Sequence, residues 1–140
     1  MCFRPKHDEI ILQSSQSYQA VCTGYTGHAE AVEITFDPSI VTFQELLKVF
    51  WDITDPTSIN KQGADVGTQY RSGIFYTNEI QKQEAYLSKS MEQQKYTKPV
   101  VTEIVMATKF WPAEQYHQKY LERHGQSAKK GNCTAIRCYG

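Results

Sequence analysis

Val32, Ile34 and Phe36 alternate with Glu33 and Thr35, the period of two that turns one face of a strand toward a core, and Asp37-Pro38 stops the run. The period then changes. Phe43, Leu46, Leu47 and Phe50 fall at i, i+3, i+4 and i+7, which predicts an amphipathic helix of about three turns. Thr42 and Glu45 at its start have the capping-box spacing, in which each side chain bonds an otherwise unpaired backbone N–H. Asp55-Pro56-Thr57 ends that region, and from Ser58 to Arg71 neither apolar period occurs. Connections longer than about 12 residues without structure of their own are usually functional or disordered. This one carries Gln62, Gly63, Asp65, Gly67, Gln69, Tyr70 and Arg71, too specific a set for a disordered linker. Gly73 to Tyr76 reads as a short strand. A polar helix follows from about Asn78 to Gln94, with Ile80, Glu84, Leu87 and Met91 as a weak stripe. Val100 to Met106 is rich in β-branched residues and predicts a central strand. Pro112 fits the first turn of a last helix that Tyr116, Tyr120 and Leu121 mark and Gly125 stops. Residues 1 to 20 have weak periodicity, and Gln13 to Ser17 reads as a polar loop.

Short strands alternating with helices predict an α+β domain with helices layered on one sheet. The 140 residues suffice for a single domain with its own core, and 40% hydrophobic with 21% charged residues is globular composition. Fifteen basic residues balance fifteen acidic ones, so net charge gives no reason to expect a nucleic acid or a membrane surface as partner. The apolar runs are too short for a transmembrane helix. Met1 to Glu9 carries charges where a secretory signal needs an apolar stretch, so a cytoplasmic protein is expected. Four cysteines, Cys2, Cys22, Cys133 and Cys138, are sparse for a disulfide framework. Three of them lie near the chain ends, where mobility suits a shuttling thiol. Residues 126–140 are expected to be a flexible, cysteine-bearing tail.

Four stretches together carry a resemblance. They are Thr26-Gly27-His28-Ala29-Glu30; Phe50-Trp51 through Asp55-Pro56-Thr57; Gln62-Gly63 with Asp65 and Gly67-Thr68-Gln69-Tyr70-Arg71-Ser72; and Ala113-Glu114 with Tyr116-His117-Gln118 and Tyr120-Leu121. In order and spacing they resemble the peptide methionine sulfoxide reductase A family over about three-quarters of the chain. The resemblance implies a ferredoxin-like two-layer sandwich whose mixed sheet carries helices on one face. It implies reduction of methionine-S-sulfoxide, free or in proteins, as a repair of oxidative damage. A cysteine thiolate attacks the sulfoxide sulfur while an acid protonates the oxygen; methionine leaves and a sulfenic acid remains. A second cysteine condenses with it, and thioredoxin or another dithiol reduces the disulfide. No metal or organic cofactor is implied, and the protein is expected to be a monomer.

Residue by residue, Glu30 matches the carboxyl acid, a role that at neutral pH needs burial to raise its pKa. Tyr70 matches the tyrosine that holds the sulfoxide oxygen, as an oxyanion-hole donor would. Asp65 matches the substrate-site aspartate. Gly63 and Gly67 serve turns and take no chemical role. His28 and His117 lie in matching motifs as hydrogen-bonding structural histidines, Trp51, Tyr116 and Tyr120 as core or rim packing, and Cys22 as a small, buried, inert thiol.

The front departs from the family. Cys2-Phe3 keeps two letters of the nucleophile motif Gly-Cys-Phe-Trp, with Met1 for the glycine and Arg4 for the tryptophan. Cys2 is the candidate nucleophile and Phe3 a candidate wall for the sulfoxide methyl. Cys2 and Cys22 stand too close in sequence for the intervening strand–helix–strand unit, which takes about 30 residues. The first strand–helix unit is therefore expected to be truncated, with its second catalytic tyrosine lost; Tyr25 resembles that tyrosine but occupies a variable position. A thiol on a fraying terminus keeps a pKa near the free value of about 8.5. Cys133 and Cys138 are candidate resolving thiols. Three readings stay open: a reductase, active or crippled; a relic that binds methionine-containing or sulfoxide-containing peptides; and a zinc-stabilised domain built on His117, His124, Cys133 and Cys138, although the spacing of the two histidines is outside the usual zinc pattern.

Overall fold

The computed structural model describes Cys2–Phe3, Glu9–Ile11 and residues 18–118. In chain order they form β1 (Cys2–Phe3), β2 (Glu9–Ile11), α1 (Tyr18–Cys22), β3 (Ala31–Ile34), α2 (Phe43–Ile53), β4 (Lys61–Gln62), β5 (Asp65–Val66), a 3₁₀ turn (Thr68–Tyr70), β6 (Gly73–Tyr76), α3 (Glu79–Gln93) and β7 (Glu103–Met106). Five strands make one sheet in the order β2-β3-β1-β6-β7, and β4 with β5 make a separate hairpin. β1 runs parallel to β3 and β6, β6 parallel to β7, and β2 antiparallel to β3. The domain is α+β and its sheet is mixed, as expected.

The capping box forms. Glu45 N–H donates to Thr42 Oγ1 at 3.2 Å, and Thr42 N–H donates to Glu45 Oε2 at 2.7 Å, which fixes the start of α2. From that start the apolar spacing brings Phe43, Leu47 and Phe50 onto one face, joined by Trp51. The strands answer with period two: Ile74 lies in register with Ile104, and both join the α2 side chains and Ala85 of α3 in one core. Burying each large apolar side chain contributes roughly 1.5–3 kcal/mol, so this cluster holds α2 and α3 to the sheet. Trp51 is buried edge-on against Phe50, and its indole N–H donates to Ser88 Oγ at 2.6 Å, bridging the two helices.

Five expectations are corrected. First, α3 begins as predicted, with Asn78 Oδ1 accepting from the Gln81 N–H at 2.9 Å, but it buries the other face. Ile80, Leu87 and Met91 are 71%, 61% and 61% exposed, while Gln81, Ala85 and Glu92 are buried. Ala85 lets the helix approach closely, and the inward polar groups are matched: Gln81 Oε1 accepts from the Thr77 N–H and hydroxyl, and Glu92 pairs with Lys95. Second, β7 is an edge strand of the described sheet, with Met106 exposed. Third, the connection from Ser58 to Arg71 holds a hairpin and a 3₁₀ turn. Fourth, Pro112 makes an isolated strand bridge and 115–118 form a turn, so among the described residues no helix starts there; Tyr120, Leu121 and Gly125 lie outside the described residues. Fifth, Cys2–Phe3 supplies a strand of its own at the centre of the sheet, with backbone partners on both sides. The gap between β3 and β6 offers hydrogen-bonding edges on both flanks, and a two-residue strand fills it. The backbone at Cys2 is therefore held. Between β1 and β3 the elements among the described residues are β2, of three residues, and α1, of five.

Candidate active site

Two of the motifs that carry the resemblance, Thr26–Glu30 and the run that ends in Ser72, lie against each other at the starts of β3 and β6, the first together with the residues from Cys22 that lead into it. Polar residues in these stretches do the joining. The Glu30 N–H donates to the Gln69 carbonyl at 2.8 Å. Thr68 Oγ1 donates to the Gly24 carbonyl at 2.7 Å, and Gln69 Nε2 to the Cys22 carbonyl at 3.4 Å. Arg71 closes the seam: Nη1 donates to the carbonyls of His28 at 3.0 Å and Thr68 at 2.9 Å, and Nη2 to that of Gly27 at 3.2 Å. Its Nε pairs with Glu103 Oε2 at 3.1 Å, anchoring the fork to β7. The backbone of Glu30 is thus bonded to the residue before Tyr70, and Glu30 and Tyr70 are both half-buried.

Asp65, also half-buried, lies in the hairpin that leads into this turn. Gln62 and Asp65 are cross-strand partners, Gly63 takes φ +60° at the turn, and the Gly67 N–H donates to the Asn60 carbonyl at 2.9 Å. Gly67 has φ +155°, and a Cβ there would collide with the Gln69 side chain. That position needs glycine on both counts. The turn-forming role expected of Gly63 and Gly67 agrees with these conformations.

Cys2 and Phe3 take their place in β1. Cys2 stands opposite Glu33 and Phe75, and Phe3 opposite Ile34. The partner of Cys2 on β3 is three positions beyond Glu30, roughly 10 Å along the strand at the usual rise. Cys133, Cys138 and His124 lie outside the described residues. Cys22 is corrected from buried to exposed: α1 turns Val21 into the core, and the next residue rotates out. Trp51 is core, as expected. Tyr116 is on the rim, 56% exposed, its ring tilted against that of His117 at 4.4 Å. The reading of residue types gave Gln69, Thr68 and Arg71 no role. Their signal was a dense polar run, Thr-Gln-Tyr-Arg, where no solvated face was predicted.

The His28 pKa lies below the ordinary 6.5, first because burial disfavours the imidazolium and then because the Arg71 guanidinium repels it. The unfolded chain therefore binds this proton more readily, and stability rises with pH across the window between the lowered value and 6.5. Acidification from pH 7.5 to 5 should lower the urea midpoint more steeply in the wild type than in His28→Gln. Equal slopes would mean that His28 does not titrate between the two states in that window.

A groove of about 570 Å³ lies elsewhere, between α2 and α3, with Leu47, Trp51, Leu87 and Met91 among its lining residues. Neither Glu30, Asp65 nor Tyr70 lines it. Among the described residues no cluster of three or more His, Cys, Asp or Glu could hold a metal ion, and no helix is long and apolar enough to cross a membrane.

A mixed α+β domain in which a Gly-His-Ala-Glu stretch is fastened to a Gln-Tyr-Arg turn defines a class that comparison with known proteins makes specific. The family model described as peptide methionine sulfoxide reductase matches residues 12–137, and the chain belongs to that family. It is 52% identical over 124 residues to peptide methionine sulfoxide reductase A2-1 of Oryza sativa subsp. japonica, covering 89% of this chain and 66% of that protein. With the chloroplastic peptide methionine sulfoxide reductase A4 of Arabidopsis thaliana it shares 51% identity over 129 residues, 89% of this chain and 50% of the relative. The chain thus spans between half and two thirds of the length of these two relatives. The solved structure of methionine sulfoxide reductase A of Corynebacterium diphtheriae superposes with a TM-score of 0.79 at 30% identity, covering 94% of this chain and 70% of the other.

Proposed function

We propose that the chain reduces methionine-S-sulfoxide, free or within polypeptides, to methionine by thiol chemistry. The observation that carries this reading is the Glu30 N–H to Gln69 carbonyl bond, which sets Glu30 beside the turn that bears Tyr70. In the proposed cycle the Cys2 thiolate attacks the sulfoxide sulfur while Glu30 gives a proton to the oxygen. The S–O bond breaks, methionine departs and Cys2 holds the hydroxyl as a sulfenic acid. Tyr70 and Asp65 hold the substrate, and Phe3 walls its methyl group. Cys133 or Cys138 then displaces water from the sulfenic sulfur to form a disulfide, and a dithiol such as thioredoxin returns both thiols by exchange. No resident cofactor has a step in this cycle. The same reading makes the domain a ferredoxin-like two-layer sandwich with a cysteine-bearing 126–140 tail, a monomer acting in the cytoplasm.

Turnover of methionine-S-sulfoxide with dithiothreitol tests it. Cys2→Ser should abolish turnover and Cys22→Ser should preserve it, because only Cys2 keeps the Cys-Phe pair of the nucleophile motif. A wild type without turnover, or a Cys2→Ser variant as active as the wild type, overturns the assignment of Cys2.

A further inference from the structure

Asn60 is the one non-glycine residue among the described residues with a positive φ, +48°. L residues avoid that left-handed region because Cβ crowds the carbonyl, and asparagine tolerates it better than most. The Asn60 side chain makes no hydrogen bond or ion pair among the described residues, so its contribution is through the backbone. That contribution can be followed bond by bond. Upstream the chain is pinned: the Asp55 carboxylate accepts from the Thr57 N–H at 3.0 Å, Thr57 Oγ1 at 2.8 Å and Ser58 Oγ at 2.6 Å. The chain then enters β4 through Asn60. Lys61 pairs with Val66 and Gln62 with Asp65, around a two-residue turn, Gly63-Ala64. Its positive φ falls at the first position, as in a type II′ hairpin. The next rung is the Asn60 carbonyl, which accepts from the Gly67 N–H at 2.9 Å, and the Gly67 carbonyl accepts from the Tyr70 N–H at 3.0 Å. A path of backbone bonds thus runs from Asn60 through Gly67 to Tyr70. Asp65 lies inside the loop that the first of these bonds closes.

We propose that Asn60 is a positioning residue of the sulfoxide site: its left-handed conformation aims the hairpin and so holds Asp65 in a fixed place relative to Tyr70. A residue that resists this φ must swing its carbonyl away from the Gly67 N–H. That frees both the loop bearing Asp65 and the start of the turn bearing Tyr70. Valine, branched at Cβ, resists it strongly, and glycine does not. This inference rests on the reading of Asp65 and Tyr70 as the groups that hold the substrate.

The test compares Asn60→Val and Asn60→Gly with asparagine, each in the full chain carrying Cys2→Ser so that bound sulfoxide is not consumed. Titration calorimetry with N-acetylmethionine-S-sulfoxide reads affinity, and amide exchange by NMR reads the Gly67 and Tyr70 bonds. Urea unfolding of the same samples reads stability. Asn60→Val should weaken the ligand about tenfold and speed exchange at both amides, the worth of one strained residue. Asn60→Gly should match asparagine in both readouts. Asn60→Ala serves the same comparison should the valine variant not fold. A merely structural role would lower the urea midpoint and leave the affinity of the folded protein alone. Unchanged affinity, exchange at Gly67 as slow as with asparagine, or a glycine variant as weak as valine therefore overturns the inference and leaves the sulfoxide reading standing. If the chain with asparagine binds no sulfoxide, that reading falls, and the inference with it.

Discussion

Glu30→Gln should lower the turnover of methionine-S-sulfoxide by at least about a hundredfold, the usual worth of a positioned general acid. Glutamine keeps the shape of the side chain and can donate a hydrogen bond, but it has no proton to surrender to the departing oxygen. The backbone bond from residue 30 to Gln69 does not depend on the side chain, so the seam between the motifs should survive. Initial rates with dithiothreitol, with urea unfolding run on the same preparation, would separate lost chemistry from lost fold. A Gln variant that turns over at the wild-type rate would remove Glu30 from the mechanism.

Arg71→Met should destabilise the domain by about 2–4 kcal/mol, a large share of the roughly 5–15 kcal/mol typical of a domain. The methylene stem is kept, but three carbonyls, those of Gly27, His28 and Thr68, lose a charged donor. The pair with Glu103 adds little by itself, since the Glu103 carboxylate is half exposed. Lysine should not rescue, because one ammonium cannot reproduce the planar fork that reaches carbonyls in two directions. Turnover should fall with stability in both variants, since the segment bearing Glu30 is no longer fixed to that of Tyr70. A urea midpoint within experimental error of the wild type would show that water replaces the fork at no cost.

Local codes were legible in the sequence. The Thr42–Glu45 box and the 3.6-residue period of α2 depend on neighbours a few residues away, and each formed where it was expected; the strand at Ala31–Ile34 formed too, but not its alternation, since Val32 is exposed and Glu33 half-buried. What depends on tertiary partners was read less well. α3 carries its larger apolar residues on the exposed side, because the sheet asks for close approach at Ala85 and for polar groups that find partners in Thr77, Trp51 and Lys95. The β-branched character of β7 suggested a central strand, but position in a sheet is set by pairing, and two residues at Cys2–Phe3 take the centre. The hairpin at Lys61–Val66 is too short for any period to register. Of the candidate site, Glu30, Asp65 and Tyr70 could be picked out by motif, whereas the function of Arg71 as a clasp emerges only when the carbonyls it binds are brought to it across the fold.

The bonds of that clasp to Gly27 and His28 span 44 and 43 residues, and those from Thr68 and Gln69 to Gly24 and Cys22 span 44 and 47. In vectorial synthesis the N-terminal motif leaves the ribosome first and waits, as an unattached segment, while α2 completes itself from contacts three and four residues apart. Closing so long a loop carries an entropy that local structure does not face. The seam is finished only after Glu103 has emerged to hold the guanidinium from β7. A population of nascent or refolding chains can therefore be helical before the seam has closed, and far-ultraviolet dichroism will run ahead of tertiary structure. Closure of the seam between Glu30 and Gln69, more than helix content, marks a chain that has finished folding.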